Sequence, residues 1–284
     1  MRGLRRIIPL ASAMLTVATV AHAQFYRPPR SADYLFAATV EDARSLWVNP
    51  AGLGVLNEAS IMGELALDRL NGTNLSVSQY TFGFNSHGFA LALRHDYYSG
   101  SNGVTAFRVG AGRGVGNLAL GAAFTVYRQG PDQRELTIGT RVLLATGLQL
   151  GAVIDHIFAP RVRGQRLNPE GVLGLGWTPP ISGRLDLTAE VHAAERDSAS
   201  GYDVRYRTGL HYRTPGRFPV GVIAALDLTN HLNVSRVVFG LSLGGLNRGI
   251  AVGSAQKVAG QTELTTLSVT GIATALQPRG RFGY

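Results

Sequence analysis

The stretch Arg184-Leu185-Asp186-Leu187-Thr188-Ala189-Glu190-Val191-His192 alternates polar or charged residues with apolar ones along its whole length. Successive side chains of an extended strand point to opposite faces, so this pattern makes one face apolar and the other ionic. Tyr202 to Arg213 repeats it, with Tyr202, Val204, Tyr206, Leu210 and Tyr212 opposite Asp203, Arg205, Arg207, His211 and Arg213. In Glu135 to Leu144, the apolar Leu136, Ile138, Val142 and Leu144 separate from Glu135, Thr137 and Arg141. Leu148 to Phe158 sets Leu148, Leu150, Ile154 and Phe158 against Gln149 and Asp155.

Working outward from these stretches, segments bounded by glycine, proline or Asn/Asp turn signals fall near residues 60–69, 73–84, 88–98, 103–112, 116–128, 135–145, 148–158, 171–178, 184–194, 202–213, 218–228, 234–243, 249–258 and 262–276. That makes fourteen strands, an even number as in single-chain bacterial barrels. Two longer connections are expected, Ala159 to Pro169 and Ala194 to Gly201. Beyond the first 23 residues no uncharged apolar run approaches roughly 18 residues, which excludes membrane-spanning helices.

Alternating strands fit a soluble sandwich, whose apolar faces meet each other, or a membrane barrel, whose apolar face meets lipid. The charged fraction of 16% is below the roughly 25% usual for soluble domains. Aromatic residues stand at strand ends, among them Tyr97, Tyr98, Phe158, Tyr202 and Tyr212. Both features favour an all-β transmembrane antiparallel barrel over residues 59–284. On this assignment arginine in place of Leu187 is costly, whereas arginine at Thr188, on the polar face, should be tolerated. Arg184, Asp186, Glu190, His192, Asp203, Arg205, Arg207 and His211 become lumen-lining candidates. They form salt-bridge ladders that satisfy one another, or they line a water-filled passage or hold an N-terminal plug.

Arg2, Arg5 and Arg6 precede the uncharged stretch Ile7 to Val20, which Ala21-His22-Ala23 follows. That is a secretory leader, residues 1–23, with an A-x-A cleavage site. No cysteine occurs, so neither disulfides nor thiolate metal sites are available. The 36 glycines exceed the usual fraction of about 7%, implying tight turns or strand positions that need small residues. The basic residues are nearly all arginine, Lys257 being the sole lysine. Arginine forks bind phosphate, which suits anionic lipid headgroups; a nucleic-acid partner does not fit an exported chain with dispersed arginines. The terminal Arg281-Phe282-Gly283-Tyr284 resembles the recognition signal of outer-membrane barrels. Expected partners are therefore outer-membrane lipid and the barrel-assembly machinery, with the cell outer membrane as location.

Residues 24–58 do not alternate. Thr39 with Asp42 is close to a capping box, and Val40, Ala43, Leu46 and Trp47 share one helical face. Pro50 ends this expected helix, and Asn49 is placed to cap a second short helical turn with Pro50 at its first position. The stretch Asp42-Ala43-Arg44-Ser45-Leu46-Trp47-Val48-Asn49-Pro50-Ala51-Gly52-Leu53 resembles the D-A-x-x-x-x-x-N-P-A-G-L sequence near the mature N-terminus of FadL-type outer-membrane transporters, and equally that of the PorV-like barrels associated with secretion. The resemblance implies a 14-stranded barrel whose N-terminal segment, 24–58, folds into the lumen as a plug. Trp47, Asn49, Pro50, Ala51 and Gly52 are its motif. For FadL-type members it also implies passage of small hydrophobic compounds with lateral exit through the wall; for PorV-like members, a structural or secretion-associated barrel with a secretion partner and no solute of its own.

From the sequence, neither a Ser/His/acid arrangement nor a metal site nor a phosphate loop is expected. His87, His95, His156, His192, His211 and His231 show no zinc-binding spacing. His95-Asp96 and Asp155-His156 are neighbours, and adjacent strand residues face opposite sides, so neither is expected to act as a dyad. Gly240-Leu241-Ser242-Leu243-Gly244 has the spacing of a G-x-S-x-G elbow but ends an expected strand with no helix expected after it, and Gly110-Ala111-Gly112-Arg113-Gly114 lacks the ending of a phosphate loop. The expectation is a non-enzymatic protein without metal or cofactor.

Overall fold

The computed structural model describes residues 30–55, 59–70, 74–98, 101–180, 184–196, 201–215, 219–244, 249–257 and 264–274. The expected leader, residues 1–23, lies outside the described residues, as do 24–29 and 56–58 of the plug segment and the terminal aromatics.

The strands are β1 (Ser60–Leu70), β2 (Ser76–Ser86), β3 (Phe89–Tyr98), β4 (Ser101–Val115), β5 (Leu118–Arg128), β6 (Gln133–Ala145), β7 (Leu148–Asp155), β8 (Arg161–Val162), β9 (Gln165–Arg166), β10 (Glu170–Trp177), β11 (Leu185–Glu195), β12 (Tyr202–Arg213), β13 (Val220–Leu228), β14 (Val234–Leu243), β15 (Gly249–Lys257) and β16 (Leu264–Thr274). All but β8 and β9 form one closed antiparallel barrel in chain order, and β1 pairs with β16 from Ser60↔Thr274 to Leu70↔Leu264. The fourteen barrel strands are the fourteen expected segments. β8 and β9 make a separate small hairpin inside the connection from β7 to β10.

Alternation explains the wall. The outward row is apolar and open, with Leu173 56% and Phe239 63% exposed, as a lipid-facing surface requires. Tight turns join several strands at one end of the barrel. His87 and Gly88 between β2 and β3 both have positive φ, 51° and 83°, as a two-residue hairpin of primed type demands. This end also holds the start of β1 and the end of β16, and is called here the terminal end. The opposite, loop end carries the long connection from His156 to Pro169.

The inward row does not meet open water, because residues 30–55 fill much of the interior. Thr188 illustrates the consequence: it is only 8% exposed, and its hydroxyl donates to the Gly209 carbonyl at 3.2 Å. An arginine at Thr188 would therefore not reach open water as expected; it would have to occupy the space between residues 30–55 and the wall.

The expected helix over Val40 to Val48 is also shorter than its periodicity suggests. Only α1 (Ser45–Val48) is α-helical, its N-cap is Arg44, and no side chain caps it. The Asp42 carboxylate accepts instead from the Arg44 amide at 2.9 Å and pairs with the Arg44 guanidinium. Ala37 donates its amide to Glu190 of β11 at 2.5 Å, and within the expected helix Ala43 donates its amide to Ser60 of β1 at 2.9 Å while the Val40 carbonyl accepts from Arg141 of β6 at 3.1 Å. Where the barrel wall satisfies the backbone, helix is not needed to do so.

Candidate functional site

The seat of the plug is made by what the wall lacks. Gly112, Gly121 and Gly139 stand opposite one another across β4, β5 and β6, and the 3-10 helix Pro50–Gly54 lies directly on them. A Cβ on Gly121 would sit 2.3 Å from the Pro50 carbonyl, and one on Gly139 only 2.0 Å from Asn49 Oδ1. Equally close approaches place Ala37 on Gly151, Thr39 on Gly176 and Phe36 on Gly209. Much of the glycine excess thus makes room for the plug, for its backbone at Gly112, Gly121 and Gly151 and for its side chains at Gly139, Gly176 and Gly209.

Asn49 fastens the motif to this seat. It is fully buried. Its Oδ1 accepts from the Ala51 amide at 3.0 Å, capping the 3-10 helix, while Nδ2 donates to the carbonyls of Ala37 at 2.8 Å and Thr140 at 3.1 Å. Pro50 holds the first helical position, as expected. Gly52 is needed because a Cβ there would lie 2.2 Å from the Val40 carbonyl oxygen. Trp47, 5% exposed, is flanked by the guanidiniums of Arg94 and Arg108, 5.1 and 5.2 Å from its ring, inside the ~6 Å at which a cation is drawn to an aromatic face. Arg94 pairs with Asp96 at 3.2 Å and Arg108 with Glu135 at 3.0 Å.

A second clamp comes from β11 to β14. Glu190, Arg207, Asp227 and Arg236 occupy one register row. Arg207 donates to the carbonyls of Ala32, at 2.5 Å, and Asp33, and Arg236 pairs with the Asp33 carboxylate at 2.5 Å. Of the residues singled out in the sequence, Asp186, Glu190, His192, Arg207 and His211 point inward with partners: Asp186 with His211 at 3.2 Å, and His192 with Glu170 at 2.8 Å and Glu190 at 3.1 Å. Arg205 sits at the loop-end rim, half exposed, 3.1 Å from Glu170. Arg184 and Asp203 do not join them; both are exposed at strand ends. The sequence reading missed Asp33, Asp227 and Arg236. Asp227 and Arg236 break the apolar runs of β13 and β14 at inward positions, a signal that was available; Asp33 had none.

Asp155 and His156 depart from the expectation that they face opposite ways. His156 leaves the strand with φ 55°, and its Nδ1 comes within 3.0 Å of buried Glu135 and 3.9 Å of Asp155. These three could supply metal ligands, their donor atoms lying within 4.8 Å of one another. The position of a cation, however, is held by Arg108, 3.0 Å from Glu135 and 3.9 Å from Asp155. The connection that follows folds inward as a strap over the loop end. Val162 and Leu167 are buried against the cluster that contains Tyr98, Tyr127 and Trp47. Gln129, between β5 and β6, donates to the Arg161 carbonyl at 2.5 Å and accepts from the Arg163 amide at 2.7 Å.

Toward the terminal end, a cavity of about 180 Å³ remains between plug and wall. Leu35, Phe36, Val40 and Ile223 give it an apolar side, and Glu41, Asp42 and Arg44 of the plug with Asp186, His211 and Arg213 of the wall a charged one.

No family model matches the chain, and no curated protein sequence matches it. Solved structures do. The toluene transporter TbuX of Ralstonia pickettii superimposes with a TM-score of 0.62 at 11% identity, over 88% of this chain and 98% of that one. The toluene transporter TodX of Pseudomonas putida gives 0.59 at 10%, over 88% and 97%. The monoaromatic hydrocarbon channel CymD gives 0.52 at 10%, over 84% and 94%. This chain shares their fold.

Proposed function

We propose that this protein is a FadL-like outer-membrane channel for small hydrophobic compounds, held closed by its plug. The observation that carries this reading is the cavity beside Phe36. At about 180 Å³ it is large enough for a monoaromatic molecule, and the apolar part of its wall combines plug and barrel residues. A monoaromatic molecule resting there touches the part that must move for it to pass. The shared fold with toluene and hydrocarbon transporters supports the same class of solute, and the apolar outer belt supports the membrane placement. Export by the leader and insertion by the barrel-assembly machinery complete this reading.

One observation favours the second reading, a PorV-like structural or secretion-associated barrel. Every pair of neighbouring strands is hydrogen-bonded into one closed barrel, so no seam between strands stands open among the described residues as a lateral exit. Uptake of labelled toluene by cells lacking other hydrocarbon channels decides between them. Expression should raise uptake, and Ile223→Trp, which fills the cavity, should abolish the gain. No gain with a correctly inserted wild-type barrel would leave the structural reading.

A further inference from the structure

The outer surface changes character toward the loop end of β2 to β6. Its lower part is apolar, with Phe82, Phe107 and Ile138 exposed. Above them one register row crosses four strands, Tyr80 opposite His95, His95 opposite Thr105, and Thr105 opposite Arg128. Tyr80 stacks on His95 with centroids 5.4 Å apart, and Tyr97 meets His95 edge-on at 4.7 Å. Amphipathic rings of this kind settle at the headgroup level of a bilayer.

Arginines gather just beyond. Arg128 and Arg134 stand on the outward face at the ends of β5 and β6, and Arg161 belongs to the strap; all three are exposed. The strap brings Arg161 to the same hairpin, since its amide donates to Gln133 at 3.1 Å and its carbonyl accepts from Gln129 at 2.5 Å. Arg128 meets Asp132 at 2.6 Å, but both side chains are exposed. Such a pair contributes little to stability and can yield to another anion.

We propose that this rim, Arg128, Arg134 and Arg161 above Tyr80 and Tyr97, binds the phosphate groups of a phosphorylated glycolipid of the outer leaflet. The inference rests on the outer-membrane reading. Guanidinium forks match phosphate in bidentate geometry, and the apolar strands below offer a surface for acyl chains. A glycolipid carrying several phosphates and several chains fits both features at once; a soluble phosphate fits only the first.

The test uses the purified full-length barrel in zwitterionic detergent and reads binding of diphosphorylated lipid A by native mass spectrometry. The expected result is that R128Q/R134Q/R161Q weakens binding by about tenfold or more, given the strength of hydrogen bonds to charged groups. R113Q/R184Q, at the terminal end, should leave binding unchanged, and dephosphorylated lipid A should bind the wild type as weakly as lipid A binds the triple variant. If the triple variant does not fold, R134Q and R161Q alone should each weaken binding. Unchanged binding by the folded rim variants, equal binding of the dephosphorylated lipid, or equal binding of phosphatidylglycerol would overturn the proposal. A wild-type chain that stays soluble without detergent removes the membrane reading and this proposal with it, whereas an inserted barrel indifferent to the phosphates removes the proposal alone.

Discussion

Asn49 uses every hydrogen-bonding atom of its side chain, one acceptor and two donors, inside the barrel. Asn49→Ala should cost more than the roughly 0.5–2 kcal/mol of a lost cap, because the carbonyls of Ala37 and Thr140 lose their donors as well. Asn49→Asp keeps the acceptor and turns a carboxylate toward two carbonyls, so it should be at least as damaging as alanine. Quenching of Trp47 fluorescence by an aqueous quencher, in a Trp177→Phe background, reads both; an aspartate variant indistinguishable from wild type would show that capping alone matters. The glycine facing Asn49 gives a second test. Gly139→Ala inserts a methyl where there is no space and should lower stability by about 1–3 kcal/mol, the usual cost of overpacking. Gly63→Ala, with nothing within 4 Å, should be nearly neutral by thermal melting. Equal effects at the two positions would mean that the plug does not press on this wall.

The strap is the element whose behaviour depends on pH. His156, Ala159 and Arg163 all adopt positive φ, 55°, 45° and 54°, a strained state for residues other than glycine, so the strap stays in place only while its contacts hold. Burial opposes the charge on His156, but the Asp155 and Glu135 carboxylates hold its proton and raise its pKa from 6.5 to about 9; Glu170 adds to this pull, and Arg108 faces the same carboxylates. A folded-state pKa above the unfolded one means that the stabilisation is full below about 6.5 and is lost as pH rises through about 9. Trypsin nicking at Arg161, Arg163 and Arg166, normalised to a free peptide of the same sequence, should therefore increase across that window. His156→Gln should flatten the profile, and a wild-type profile already flat would sever the strap from His156. None of this was legible in the sequence. The fourteen barrel strands were, because alternation is local and both faces of each strand have uniform surroundings. The sequence predicts the strap only as a longer connection, Asp155-His156 as divergent and Thr39 as a helix cap, since each outcome depends on groups far along the chain: Gln129, Glu135 and Arg141.

At the scale of the whole molecule, barrel and plug are one packing problem. The strand pattern and the Asn49-Pro50-Ala51-Gly52 motif could be read separately, but nothing in the sequence said that Gly112, Gly121 and Gly139 would align into a seat for that motif, because the alignment requires the register of three strands at once. The ionic row on the opposite side was half visible. Arg207 and Glu190 were singled out as lumen residues, yet their partners are the backbone and side chains of residues 32–37, not only each other. The plug is thus held on several sides, by apolar and glycine contacts on β3 to β6, by the pairs of Arg30 with Asp68 of β1 and of Glu41 with Arg141 of β6, and by ions on β11 to β14. If it closes the channel, loosening the ionic side should open a partial leak and removing the segment a full one. Arg236→Gln, which breaks the pair with Asp33, should raise the conductance of the barrel in planar bilayers modestly, with Arg207→Gln adding to it. Deletion of residues 24–58 should raise it furthest, provided that the deleted barrel still shows the heat-modifiable mobility of a folded one. Conductance equal to wild type in a folded deletion variant would mean that the wall itself closes the passage, and that residues 30–55 brace the barrel without gating it.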